Sequence, residues 1–208
     1  MVPWLATVWH ALDLEAHVQG QWMGVNVVLA VLPGIGAFLL HRWRSRRRWG
    51  WWVGLAVVIV LLPNAPYVLT DIIHLGPDMR AAPTRSDALY GVVPLFALLI
   101  GTGVLSYSLA LHLMRRELRR LGWSLRRLIA AEAMVDAACA VGVGLGRIPR
   151  LNSWDIVRPF TMLHGLKVVA VRPEFLVAAL VVIVVASVTA DRVATGTVHA
   201  VRSHRHHR

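Results

Sequence analysis

Residues 22–62 read WMGVNVVLAVLPGIGAFLLHRWRSRRRWGWWVGLAVVIVLL, an apolar run, an arginine-rich segment and a second apolar run that opens on tryptophans. Each apolar run approaches the ~20 residues with which an α-helix crosses the ~30 Å hydrocarbon layer of a bilayer. Basic loops and aromatic belts are the usual flanks of such helices. This stretch therefore predicts two membrane-spanning helices joined by a short loop.

The rest of the chain repeats this pattern. Of its 208 residues, 57% are hydrophobic and only 16% are charged, and the mean hydropathy is +0.59, which is too apolar for an ordinary soluble domain of this size. We predict an all-α, polytopic membrane helical bundle with about five transmembrane helices and one or two interfacial helices. The expected spans are Trp22–Leu40, Trp49–Leu62, Ala88–Leu113, Leu128–Leu145 and Phe175–Ala190.

The two ends of the chain differ from this central region. Residues 1–20 carry an i, i+3/i+4 apolar stripe that includes Trp4 and Val8, which favours a short helix at the membrane surface. Residues 21–190 form the predicted single transmembrane domain, and residues 191–208 form a polar tail rich in histidine and arginine. The single cysteine, Cys139, excludes an intrachain disulfide and a cysteine-based metal site.

The distribution of basic residues predicts the orientation of the chain. The formal net charge is +11, and proteins this basic often bind the phosphate backbone of nucleic acids. Here, however, the basic residues lie mostly in short loops between apolar segments. We therefore exclude nucleic acid as a partner. Fifteen of the 22 arginine and lysine residues lie in residues 42–48, residues 115–127 and the tail, and seven lie in the other loops. The excess places the arginine loops and the C-terminus in the cytoplasm, with the N-terminus outside.

Two polar motifs lie on the predicted outer side. Motif 1, residues 62–75, reads LPNAPYVLTDIIHL, and motif 2, residues 146–155, reads GRIPRLNSWD. In motif 1, Pro63 and Pro66 lack amide donors, so the second span should kink there and leave carbonyls near Ile59 and Leu62 unpaired. Asn64 can donate to some of these carbonyls. A helix that restarts near Pro66 resembles the broken helices that line binding cavities in membrane proteins.

Motif 1 also carries candidate catalytic residues. In a regular α-helix Tyr67, Asp71 and His74 would fall within roughly 60° of one another on one face. Asp71 and His74 are then able to hold a divalent metal ion together, or the carboxylate can orient the imidazole as a general base. The alternative is that Thr70, Asp71 and His74 only cap and solvate a helix end. The helix break and the cost of ionisable groups in a membrane favour function.

Motif 2 has a structural and a functional interpretation. Asn152 followed by Asp155 resembles a helix N-cap with an acidic third residue, and the segment from Ile156 to Val171 suits an interfacial helix, with Trp154 in the aromatic belt. Arg147 and Arg150, one turn apart on the side with fewer positive charges, suit a phosphate or carboxylate. Asp155 is also a candidate acid/base or metal-binding residue. Candidate substrate-binding residues over both motifs are Asn64, Tyr67, Thr70, Arg147, Arg150, Asn152 and Trp154.

Two further acids lie inside predicted spans. Glu132 is close in sequence to Arg126 and Arg127, which favours an interfacial ion pair. Asp136 lies one turn deeper, where an ionisable group marks a proton or ion path or needs a partner such as Asn26.

Both motifs, in this order, resemble the signatures of a bacterial integral membrane family catalogued as domain of unknown function 1361. The similarity covers about residues 22–190, and the segment from Asn26 to Ala30 with Pro33 also resembles the opening of that family. The resemblance implies a multi-span helical fold in the bacterial inner membrane, and it implies that the two motifs belong to one site.

Two classes of function remain open at this point. The leading hypothesis is an enzyme facing out of the cytoplasm, a metal-assisted hydrolase or transferase that acts on a lipid-linked or envelope substrate, with an anionic lipid or lipid-linked head group as the partner. The alternative is a transporter, an ion-binding subunit or a membrane assembly partner. No HExxH or GxSxG motif is present. A polar path through Asp136 to the cytoplasm would favour transport.

Overall fold

The computed structural model describes residues 3–43 and 49–188, with side chains described from residue 23 onward. All regular secondary structure in these ranges is helical. Two 3₁₀ turns, Val68–Asp71 and Ser153–Val157, and a π turn, Ala88–Val92, interrupt the α-helices. The α-helices, in chain order, are α1 Pro3–Arg42, α2 Trp49–Leu61, α3 Asn64–Tyr67, α4 Ile72–Ala81, α5 Arg85–Asp87, α6 Val93–Arg120, α7 Leu125–Arg147, α8 Pro159–Ala170 and α9 Pro173–Val188.

Four helical segments of the described chain are long and apolar enough to cross a membrane, and they are Met23–Arg42, Trp49–Ala81, Arg85–Arg120 and Leu125–Arg147. A fifth crossing is present if α8 and α9, which are bent by 93° at Ala170–Pro173, count as one span. The predicted all-helical membrane fold is confirmed at this level. The second and third spans are longer than predicted because helical segments continue beyond the apolar cores on which the prediction was based.

The N-terminal segment is not a separate short helix, because α1 runs without interruption from Pro3 to Arg42. No proline lies between Pro3 and Pro33, so nothing in the sequence forces a break before the first span. The surface position of residues 1–20 remains a prediction. The predicted tail, residues 191–208, lies outside the described residues.

Consecutive spans run in opposite directions, so the bundle has two ends. We call the end that holds the last turns of α1 and α6 and the first turns of α2 and α7 the arginine end, and the opposite end, which holds both motifs, the motif end. The main core joins six helices, with Trp51 of α2 and Tyr107 of α6 as its largest fully buried side chains. Cys139 and Val143 of α7 and Ile183 of α9 belong to the same core.

Ion pairs hold the arginine end together. His41 of α1 contacts Glu117 of α6 at 2.6 Å, and Arg120 reaches the same carboxylate at 2.8 Å. Arg115 of α6 pairs with Glu132 of α7. The expected pairing of Glu132 with Arg126 or Arg127 is therefore wrong, because the side chain faces α6 and its partner comes from the neighbouring helix.

The broken part of the second span packs closely between α6 and α7, because glycines on both helices leave room for it. A Cβ atom on Gly103 of α6 would lie 2.3 Å from the carbonyl oxygen of Ala65, and one on Gly142 of α7 would lie 2.6 Å from the Pro63 ring. A Cβ atom on Gly146 would lie 2.9 Å from the Tyr67 ring. Residues 63–67 thus pack directly on α6 through the backbone of Ala65 and on α7 through the rings of Pro63 and Tyr67, which fixes the position of motif 1.

The contact at Gly103 predicts a large difference between two substitutions on the same helix. Gly103→Ala should destabilise the protein by about 1–3 kcal/mol, the usual range for overpacking, because the new methyl group meets backbone rather than a flexible side chain. Gly101→Ala is the matched control, since a Cβ atom there has no neighbour within 4 Å. Thermal unfolding of both purified variants in one detergent measures the effect. Equal melting temperatures would contradict the close approach of residue 65 to α6.

Candidate functional site

The second span breaks at the prolines, as the sequence predicts. Helix α2 ends at Leu61, and the carbonyls of Ile59 and Leu62 accept instead from the amides of Leu62 and Ala65, at 3.3 and 3.1 Å. The Asn64 side chain donates to the Leu61 carbonyl at 2.8 Å. The expectation that Asn64 would satisfy a carbonyl at the break is confirmed, although its acceptor is neither of the two that we expected.

After the break the chain winds more tightly than the sequence suggests. Residues Val68–Asp71 form a 3₁₀ turn, in which about three residues complete a turn, and α4 begins only at Ile72. Tyr67 is half-buried, Asp71 is 1% exposed and His74 is exposed. The three side chains therefore differ in environment, with Asp71 inside the bundle and His74 at its surface. His74 remains close enough to interact electrostatically with Asp71.

The buried Asp71 carboxylate binds side chains from two other helices. Asn26 of α1 donates to Oδ2 at 3.0 Å, and Arg147 at the end of α7 donates to Oδ1 at 3.1 Å. A buried carboxylate needs such partners, because it has lost the water that would otherwise solvate its charge. Asp71 thus joins the first, second and fourth candidate spans. Asn26 is therefore not the partner of Asp136, for which we had considered it.

Arg147 is the central contact between the two motifs. Besides Asp71, its guanidinium donates to the carbonyl oxygen of Thr70 at 2.7 Å and to the Tyr67 hydroxyl at 3.4 Å. It also lies 5.6 Å from the centre of the Tyr67 ring, within the range of a cation–π contact. The planar fork of donors on arginine suits several acceptors at once. Four residues of motif 1 and motif 2 therefore form one polar cluster.

A second contact joins the two motifs at Asn64, directly after the end of α2. The amide of Asn64 and the hydroxyl of Ser153 exchange hydrogen bonds at 2.9 and 3.3 Å. Asn64 thereby connects the open end of α2 to the 3₁₀ turn Ser153–Val157. The two motifs, separated by about 80 residues along the chain, are in direct contact at two places.

Other residues of motif 2 lie outside the Arg147 cluster. Asp155 is buried, and its carboxylate accepts a hydrogen bond from the backbone amide of Asn152 at 2.8 Å. The carboxylate also lies 3.4 Å from the Arg158 guanidinium. Asp155 therefore caps the 3₁₀ turn. This is the structural interpretation of that pair, and a chemical role for Asp155 remains a prediction. Arg150 is exposed with φ of 58°, and Trp154 is 59% exposed. Arg147 and Arg150 do not act as one fork, because Arg147 turns inward to Asp71.

The arrangement around Asp71 does not fit the predicted divalent metal ion. Both carboxylate oxygens already accept hydrogen bonds, and one of the donors is the cationic guanidinium of Arg147, which would repel a second cation. Within residues 23–43 and 49–188, no group of three or more His, Cys, Asp or Glu side chains has a metal-holding arrangement. We therefore derive no chemical step from a metal at Asp71 and His74.

Sequence reasoning missed two features of the motif end. Asn26 is a polar residue in an apolar span, which signals an interior partner, but the sequence does not say which acid it meets. Asp78 of α4 is only 8% exposed, and its Oδ2 atom has no hydrogen-bond partner in the described part of the chain. A buried acceptor without a donor is uncommon and suits a water molecule or a ligand donor group.

The Asp71–Arg147 pair can be tested with a double-mutant cycle. Asp71→Asn and Arg147→Gln should each lower stability by about 3–5 kcal/mol, because each leaves a buried charge without its partner. The double variant should lose less than the sum by about 0.5–3 kcal/mol, since neither charge remains. Unfolding of the variants in detergent gives these values.

Arg158→Gln is the control for this cycle, because the Arg158 side chain is 70% exposed and Asp155 keeps its hydrogen bond from the backbone amide of Asn152. Its expected cost is below about 1 kcal/mol. Strictly additive losses at Asp71 and Arg147 would show that the pair is not coupled.

The comparisons with known proteins assign the chain to a family without assigning an activity. No curated protein and no solved structure shows a significant match to the chain. The model of one family, described as "Protein of unknown function (DUF1361)", matches residues 25–188 and so covers both motifs and all of the candidate spans except the first two residues of the first one. The matched segment includes most of the chain and begins just before Asn26, so this protein belongs to the DUF1361 family.

Proposed function

We propose that this chain is a multi-pass protein of the bacterial cytoplasmic membrane, with its N-terminus outside and its C-terminus in the cytoplasm. The excess of arginine and lysine residues in the loops of the arginine end supports this orientation. The motif end then faces out of the cytoplasm. The sharp bend between α8 and α9 suits an interfacial α8, because a helix perpendicular to a spanning helix lies along the membrane plane.

The function that the geometry supports best is that of a hydrolase or transferase acting at the motif end on an anionic lipid-linked or envelope substrate. The observation that carries it is the exposed His74 within electrostatic reach of the buried Asp71, whose carboxylate is fixed by Asn26 and Arg147. A carboxylate near an imidazole stabilises the imidazolium that forms when the ring accepts a proton. In this proposal His74 is the general acid/base, and Asp71 contributes a fixed negative charge that favours the imidazolium.

Recognition of the substrate would come from exposed residues of motif 2. Arg150 presents its guanidinium at the surface, where a phosphate or carboxylate of a head group can accept two parallel hydrogen bonds. Trp154 is exposed close by in the chain, and an exposed tryptophan suits the head-group level of a membrane. Arg147 would contribute through the shape of the cluster rather than by direct binding, since its donors are already engaged by motif 1.

Labelling of single cysteines tests the orientation. Met79→Cys places a thiol on the exposed surface of α4 at the motif end, and an impermeant maleimide should label it in intact cells. Trp123→Cys, between α6 and α7 at the arginine end, should be labelled only after the membrane is permeabilised. The unmodified chain gives the blank, because its only cysteine is buried. The reverse pattern would overturn the proposed orientation.

Complementation of a deletion strain tests the activity. The deletion should cause an anionic lipid-linked or envelope species to accumulate, and quantitative mass spectrometry of lipid extracts would detect it. His74→Ala should fail to restore the normal profile, since removal of a general acid/base typically costs ~10²–10⁴-fold in rate. Arg150→Ala should restore it only in part, because recognition of the anionic group is weakened.

His112→Ala is the matched control, because His112 is an exposed histidine of a spanning segment at the opposite end of the bundle. It should complement fully at an equal protein level. Full complementation by His74→Ala, or an unchanged profile in the deletion strain, would contradict the proposed activity.

The alternative function, a transporter or ion-binding subunit, is favoured by one observation, the buried Asp136 of α7. A transport path would have to connect Asp136 with the motif end. Between Asp136 and Arg147, α7 buries Cys139, Ala140 and Val143, which belong to the apolar core. In this conformation the apolar core separates the two polar regions, so we rank the enzyme first.

A further inference from the structure

Asp136 is an acid in the middle of the bundle that the proposed chemistry at the motif end does not use. It lies eleven residues from each end of α7 and is 6% exposed. The Tyr107 hydroxyl of α6 donates to its Oδ1 atom at 2.5 Å. Its hydrogen-bond partner is thus a neutral group. A carboxylate at this depth is costly when charged, whereas the protonated form is neutral.

The groups that act on Asp136 come from the two helices that enclose it. Tyr107 and Arg115 belong to α6, and Cys139 belongs to α7. Glu132 lies one turn before Asp136 on α7, on the same face, and pairs with Arg115. Polar side chains therefore run from Asp136 toward the arginine end, while apolar core residues follow toward the motif end.

A crevice between α6 and α7 follows the same direction. It has a volume of about 30 Å³, is open to the surface, and extends from Leu118 and Leu128, near the arginine end, to Leu111 and Val135. Arg115 and Glu132 are the polar residues in its wall. Asp136 does not line the crevice, but it lies one helical turn beyond Glu132 on the same face of α7, so the polar wall of the crevice ends one turn from the buried acid. Charged groups in the wall of a crevice within a membrane protein usually face water.

We infer that Asp136, together with Tyr107, is a proton-binding site that exchanges with the cytoplasmic side through this crevice. The ligand is the proton itself, which moves between water in the crevice and the carboxyl group. Glu132 and Arg115 hold that water, and the core around Cys139 and Val143 blocks passage to the motif end. The inference rests on the proposed orientation of the membrane fold but not on an enzymatic activity at His74.

Modification with dicyclohexylcarbodiimide tests the proton-binding site. This apolar reagent adds to a protonated carboxyl group and leaves a stable N-acylurea, which increases the mass of the chain by one reagent molecule. Mass spectrometry of the full-length protein in detergent should find one adduct at Asp136, and labelling should fall as the pH rises. Asp136→Asn should lose the adduct, whereas Glu174→Gln, which removes an exposed acid outside this site, should keep it.

Four results would overturn the inference: no adduct, an adduct at Glu132 or Asp71 in place of Asp136, labelling that does not change with pH, or protection by sodium ions. Protection by sodium would identify a metal cation as the ligand. Asp136→Asn is nearly isosteric and preserves an acceptor for Tyr107. Its melting temperature shows whether the loss of the adduct reflects the site or a failure to fold.

A second measurement tests the crevice independently. Ala131→Cys lies in its wall and should react with a small, charged methanethiosulfonate, which needs water around the thiol. Ala138→Cys is the matched control, because this alanine is exposed on the outer surface of the same helix. Its thiol would face lipid or detergent and should react slowly. Equal slow reaction at both positions would exclude water from the crevice and overturn the proposed access.

Discussion

Asp71 carries a carboxylate that is almost fully buried inside the helical bundle, where removing one charge from water costs several kcal/mol. That cost is the constraint on which the motif end depends. Arg147 supplies the opposite charge from α7, and Asn26 supplies a hydrogen bond from α1. Because these residues come from three spans, the bundle must bring the spans together before the carboxylate is satisfied. The glycine contacts at residues 103, 142 and 146 allow that approach.

Local features of the fold were predictable from the sequence. The broken span at Pro63, the carbonyl bonded by Asn64 and the cap formed by Asp155 each involve residues only a few positions apart. Proline chemistry and capping geometry determine such contacts without knowledge of neighbouring helices. The apolar runs likewise predicted most of the spans, because their length is set by the bilayer. The contact between the motifs followed from their common side of the predicted topology.

Partner choice across helices was not predictable in the same way. Periodicity gives the face of a helix on which a residue lies, but not the helix that the face meets. The sequence therefore suggested Asp136 as the partner of Asn26, which in fact binds Asp71. It likewise suggested Arg126 or Arg127 for Glu132, which in fact pairs with Arg115. The 3₁₀ turn Val68–Asp71 was also not predictable from periodicity. In a regular helix Asp71 and His74 would lie on one face, but the tighter winding leaves Asp71 buried and His74 exposed. Packing of residues 65 and 68 on Gly103 accompanies this turn, and single-sequence patterns do not encode it.

The apolar stretch of α7 between Asp136 and Arg147 has an electrical consequence. Eleven residues of helix span roughly 16 Å, about half of the hydrocarbon thickness. If water fills the crevice as proposed above, the membrane potential would fall mainly across the apolar layers that remain, and this stretch is one of them. A proton that moved between the crevice and the outer medium would cross nearly all of the voltage, worth ≈ 2.3 kcal/mol per 100 mV. The apolar core around Val143 would therefore be the electrically insulating layer between the crevice and the motif end.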